Sequence, residues 1–204
     1  MTTRILILYH SVSGNTRAMA QHVARGVESV TQAEAILRTV PEVSAETETV
    51  APPVPSDGAP YGTTADLSAC DGLILGSPTC FGNMSASLKY FMDQTSAQWF
   101  SGDLSGKPAG VFTSTSSLHG GQEAVLLSMM IPLMHHGMLM TSIPYSVPEL
   151  ANTTSGGTPY GASHTSGPNG NNPLTDDEKA ICKALGQRVA DIAARLKAGA
   201  GTAS

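Results

Sequence analysis

Residues 5–9 form a short unbroken apolar run; the polar, glycine-containing stretch 11–16 follows, and then Ala18, Met19, Val23 and Val27 recur at helical spacing. This reads as strand, loop, helix. Comparable runs at 33–40, 72–75, 108–112 and 139–143 are short enough to be strands buried on both faces of a sheet. Helices are predicted at 85–95 and 122–134, and a last one at 175–197. The alternation predicts βαβ units: an α/β fold with a doubly wound five-stranded parallel sheet and helices on both faces. Thr175 and Glu178 have the spacing of a capping box, which fixes the start of the last helix. Pro132 lacks an amide proton and is predicted to kink or end the helix from Gln122.

Two stretches exceed what a five-strand unit needs: 41–64, with five prolines, and 146–174, rich in Gly, Ser, Thr, Asn and Pro. Both read as long loops inside a single domain spanning 1–204, and loops of that length are usually functional or disordered. Seven of the nine methionines lie between Met84 and Met140, at spacings that suit adaptable core or interface.

Composition narrows the picture. With 41% hydrophobic and 13% charged residues the chain should fold, and the low charge together with 21 glycines points to a surface partly covered by other subunits. Eleven Lys and Arg against sixteen Asp and Glu, with no basic run, argue against a nucleic-acid partner. The N-terminal apolar run is too short for a signal peptide or a membrane span, so a cytoplasmic protein with no membrane insertion is expected. Cys70, Cys80 and Cys182 form no CxxC pair, indicating neither a disulfide framework nor a metal site.

Candidate chemistry lies in three loops that follow predicted strands. Ser11, Val12, Ser13, Gly14, Asn15 and Thr16 open a helix directly after the first strand and contain no Lys or Arg. Short hydroxyl and amide side chains, a glycine and free helix N–H groups suit a phosphate. The spacing is neither that of a Walker A loop nor GxGxxG, which disfavours ATP and a Rossmann-type dinucleotide site. The second loop carries Thr79, Cys80, Phe81, Gly82 and Asn83, and the third carries Ser114, Thr115, Ser116, Ser117, Leu118 and His119. In an open parallel sheet these loops share one edge, where the topological switch point binds ligands. Their backbone amides suit the polar rim of a flat heterocycle, and Phe81 suits its apolar face.

Four segments, SxSGNT, SPTxFGNMS, SLHGGQE and HHGM, occur in that order, with Asp93-Gln94-Thr95, Trp99 and GGTPYGA at 156–162. Together, from residue 4 to about 195, they resemble the WrbA family of NAD(P)H:quinone oxidoreductases. The resemblance implies a flavodoxin-like fold, noncovalent FMN, a homotetramer built as a dimer of dimers, and both long loops as insertions. It places the FMN phosphate on Ser11 to Thr16 and the ring along Thr79 to Asn83, Ser114 to His119, and His135. It also implies that Trp99, Tyr145, Phe81 and Ser13 line the pocket where NADH or NADPH and then a quinone bind, in a ping-pong hydride transfer. His135 is the implied proton donor near the acceptor oxygen, its plainer role being to orient a loop. Ser13 stands where some relatives have an aromatic residue, and Cys80 where some have arginine. The competing expectation is a flavodoxin-type one-electron carrier, and a third is a regulatory protein-binding role, which no residue supports.

Overall fold

The computed structural model describes residues 2–43 and 55–200. Its elements run β1 (Thr3–Tyr9), α1 (Asn15–Glu28), β2 (Ala33–Thr39), α2 (Thr64–Ala69), β3 (Gly72–Pro78), α3 (Ala86–Asp93), α4 (Ser96–Ser101) and β4 (Pro108–Thr115). They continue with α5 (Gln122–His135), β5 (Leu139–Met140), α6 (Pro148–Asn152), β6 (Ala162–Thr165) and α7 (Asp176–Ala200). The sheet is parallel, in the order β2-β1-β3-β4-β5 expected of a flavodoxin-like fold, with β6 also paired to β4.

Alternation along the buried strands divides the interior into two cores. Ile5, Ile7 and Tyr9 of β1, with Ile74 and Phe112, face α1 and α7. Leu6 and Leu8, with Leu73, Leu75 and Val111, face the side of α3 and α5. Where α1 and α7 cross, a Cβ on Gly26 would lie 2.0 Å from the Lys183 carbonyl oxygen, and one on Gly186 would lie 2.0 Å from that of Val23. Only paired glycines permit this approach.

Three expectations are refined. The apolar run at 139–143 yields only the two-residue β5, opposite Pro108 and Ala109, while β6 pairs with Phe112 to Thr115 farther along the same edge. The fifth position is therefore filled by two segments, the second drawn from the stretch read as loop. The helix containing Pro132 continues to His135, because a proline this near the C-terminus forfeits only one of the last bonds. The 146–174 stretch holds α6 and β6 and is clamped by Glu178. That buried carboxylate accepts from Ser155 Oγ (2.8 Å), Gly156 N (2.8 Å), Thr165 N (3.1 Å) and Thr175 N (2.9 Å), and pairs with buried His164 Nδ1 (2.8 Å). Thr175 Oγ1 in turn accepts from Glu178 N at 3.2 Å, completing the expected capping box. Of the 41–64 stretch, 44–54 lies outside the described residues.

Candidate active site

The first loop leaves β1 and turns into α1 at Gly14, whose φ of 88° is in the left-handed region that glycine adopts without strain. Gly14, at the cap position, offers no side chain to the helix start, and no acidic residue lies in its first turn. The loop is fixed from behind: Arg17 N donates to Ser11 Oγ (3.3 Å) and Ala18 N to the Gly14 carbonyl (2.9 Å). Asn15 Nδ2 donates to Ser13 Oγ (3.0 Å) and to the Gly170 carbonyl (2.9 Å). The result is a preformed collar of helix-start donors suited to an anion.

The second loop is held by reciprocal bonds, Cys80 N to Asn83 O (2.9 Å) and Asn83 N to Cys80 O (3.0 Å), with Phe81 (φ 50°) and Gly82 (φ 77°) at its tip. A positive φ costs glycine nothing but strains phenylalanine, and the Phe81 side chain is nevertheless fully exposed. Thr79 N donates to the Ser114 carbonyl (2.8 Å), tying this loop to the third. There Ser114 and Thr115 are buried, Ser116 to His119 are exposed, and the Thr115 carbonyl accepts from Ser166 N (2.8 Å). A Cβ on Gly121 would lie 3.6 Å from Gly82 Cα, so the second and third loops abut. Gln122 Oε1 is buried among them without a partner. Anion collar, strained apolar lid and abutting glycine turns share one sheet edge, and they fit a phosphorylated flat heterocycle.

Three predicted residues lie elsewhere in the chain. Gln122 starts α5 beside the loops and His135 ends it, about 20 Å away at the usual helical rise. There His135 lines a largely apolar groove of ≈ 390 Å³ with Trp99, Met92, Ile131, Pro132 and His136. Thr95 Oγ1 donates to the Met92 carbonyl (2.7 Å), so the neighbouring His136 Nε2 at 2.9 Å is the donor to Thr95. Burial, aided by the adjacent His135, lowers the His136 pKa. Tyr145 is exposed in the segment between β5 and α6, whose Pro144 and Val147 line a separate groove against α7.

Sequence reasoning missed two contributors. The turn 167–170 reaches the first loop through the Gly170 carbonyl, and its Pro-Asn-Gly run signals a turn but not its destination. Arg17 ion-pairs with Asp57 beside the first loop; nothing in the spacing links positions forty residues apart.

Sheet order and loop placement together define a flavodoxin-like protein whose three candidate loops gather around the switch point between β1 and β3. Residues 3–151 match the family model described as NADPH-dependent FMN reductase, and the chain belongs to that family. It is 42% identical over 206 residues to the NAD(P)H dehydrogenase (quinone) of Syntrophobacter fumaroxidans, covering 95% of this chain and 98% of that one. Among solved structures it resembles a WrbA-like flavodoxin protein from Agrobacterium tumefaciens, with TM-score 0.70, 25% identity, and 95% and 99% of the two chains covered. An archaeal flavodoxin, 21% identical at TM-score 0.63 over 94% of this chain and 99% of that one, shares the fold.

Proposed function

We propose that the chain is an FMN-dependent enzyme that reduces quinones with NADH or NADPH, acting as one domain and as a homo-oligomer, a tetramer built from two dimers. The observation that carries this is Phe81: a strained, fully exposed aromatic at the tip of a loop that abuts the third loop, on the same sheet edge as the anion collar, is explained by a planar ring resting against it. When bound, FMN supplies the hydride chemistry between nicotinamide and quinone. Ser11 to Thr16 bind its phosphate through backbone amides and hydroxyls. Thr79 to Asn83 and Ser114 to His119 orient the ring.

Trp99 and His135 serve the site of a second copy of the chain, since in their own chain they sit at the far end of α5. Oligomerisation has a physical motive in α5, which is apolar nearly all round. Val125, Leu126, Met129 and Leu133 are buried within the chain, while Leu127, Ile131 and Met134 form an exposed stripe. In the assembled site Trp99 walls the pocket against water and His135 delivers a proton at the acceptor oxygen. Three free cysteines suit a reducing cytoplasm, and no described helix is long and apolar enough to cross a membrane.

The test is anaerobic purification followed by a visible spectrum and NADPH oxidation with and without a soluble benzoquinone. Flavin absorbance with quinone-dependent turnover is expected. A flavin-loaded chain that no nicotinamide nucleotide reduces would be a carrier, and the enzyme reading would fall.

A further inference from the structure

Arg17 occupies the first turn of α1, where a cation opposes the positive end of the helix dipole and no acidic residue of the helix offsets it. Such a placement calls for an anion nearby. One is Asp57, whose carboxylate pairs with Nη1. The other terminal nitrogen, Nη2, lies 3.8 Å from where a Cβ on Gly14 would stand, against the turn of the first loop. The guanidinium thus spans the space between Asp57 and the collar. Both belong to one polar cavity of ≈ 410 Å³ lined by Ser11, Ser13, Gly14, Arg17, Ser56 and Asp57, among others. The segment at 56–58 packs along the arginine stem, since a Cβ on Gly58 would lie 3.6 Å from Arg17 Cδ.

Side-chain exposures of 36% for Arg17 and 76% for Asp57 make this a solvent-screened pair, and pairs of that kind hold weakly. A phosphate dianion in the collar would offer the same guanidinium a stronger, charge-assisted partner. It would also bring like charge toward Asp57. Arrival of phosphate therefore favours exchange of partners.

We propose that Arg17 is the counter-charge for the phosphate bound at Ser11 to Thr16, and that Asp57 holds it in reserve and competes with the phosphate for it. The proposal rests on the FMN reading above. It makes Asp57 an antagonist of phosphate binding and couples the 56–58 segment to occupancy of the collar. It also supplies the positive charge that the loop sequence itself lacks.

The experiment is flavin-fluorescence titration of the flavin-stripped full-length chain with FMN and with riboflavin, for wild type, Arg17→Gln, Asp57→Asn and the double variant. Loss of one charge-assisted contact predicts a Kd for FMN about tenfold higher in R17Q, with riboflavin changed less than about twofold. D57N should bind FMN roughly threefold more tightly in the wild-type background, and gain clearly less when Arg17 is already Gln, because only relief of the like-charge repulsion is then left. An unchanged FMN affinity in R17Q, equal losses for both flavins, or weaker FMN binding in D57N would overturn the proposal and leave the FMN reading standing. A wild-type chain that binds neither flavin would overturn both.

Discussion

Asn15 donates its side-chain amide to the Gly170 carbonyl at 2.9 Å, across a separation of 155 residues. The same nitrogen reaches Ser13 Oγ at 3.0 Å, so one side chain sets the first loop against the turn at 167–170. Asn15→Asp removes both donated bonds and places a carboxylate beside a carbonyl and the phosphate collar. FMN affinity should fall about tenfold or more by fluorescence titration, the loss expected for a charged group left without a donor. Wild-type affinity in N15D would show that the turn does not shape the collar.

Glu178 makes the fold sensitive to acid. Burial pushes its carboxyl upward, but the bonds from His164, Thr175 and Ser155 outweigh it and hold the pKa at about 2, below the ordinary 4.5. A depressed pKa contributes stability that is complete above about 4.5 and is lost as pH falls from there toward about 2. Urea unfolding of wild type across that window should show a loss of the order of 2–3 kcal/mol from this group. Glu178→Gln should be less stable at neutral pH and should lack that share of the slope. Parallel pH profiles for the two proteins would refute the assignment.

At the crossing of α1 and α7, Gly186→Ala forces a methyl group to within 2.0 Å of the Val23 carbonyl oxygen, a backbone atom that no rotamer change can move. The helices must separate, and a cost of roughly 2–4 kcal/mol is expected in denaturant unfolding. Gly199→Ala meets nothing within 4 Å and serves as the control.

Cysteine labelling separates the three thiols. Burial pushes Cys70 up to about 11 and raises Cys182 further, whereas Cys80 is exposed, with its thiol raised by partial burial. A disulfide reagent should modify one thiol in the native chain, faster as pH rises, and all three after unfolding. Saturating FMN should slow the native reaction if Cys80 lies along the ring, and Cys80→Ser should abolish it.

Ile131 is the central residue of the exposed stripe on α5, half exposed in the isolated chain. In the proposed oligomer, Ile131→Glu should split the assembly in sedimentation, keep FMN within about twofold of wild-type affinity, and lose most quinone turnover, because a charge buried at the proposed contact is strongly unfavourable. A dissociated variant with full turnover would confine the reaction to one chain.

Most of the framework was legible because it rests on local pattern: the runs at 5–9, 72–75 and 108–112 are apolar on both sides, and only a covered parallel strand tolerates that. β6 was not, since Ala-Ser-His-Thr carries no apolar run. It is a strand because His164 and Ser163 find buried partners in Glu178 and in the Gly157 amide, contacts that belong to tertiary structure. The three loops were found because strand ends in such a sheet must share an edge. That His135 lies at the other end of α5 follows from counting helical turns, but Trp99 stands on α4, and only folding brings it to that end. Arg17 escaped notice because its significance depends on Asp57, brought near only by folding.

The split edge of β4 has a consequence for how such chains diversify. Met140 lies opposite Ala109 and Ala162 opposite Phe112, so everything from 141 to 161 leaves and rejoins one edge across a gap that two residues, opposite Gly110 and Val111, would fill. The excursion is a detachable module in geometry, able to lengthen, shrink or be exchanged without shifting a strand register. What retains it is its inner lining: Ile143 and Leu150 plug the core beneath α7, and Ser155 and Gly156 donate to the buried Glu178 carboxylate, so a trimmed descendant would need new apolar cover and new donors there before it could discard the rest.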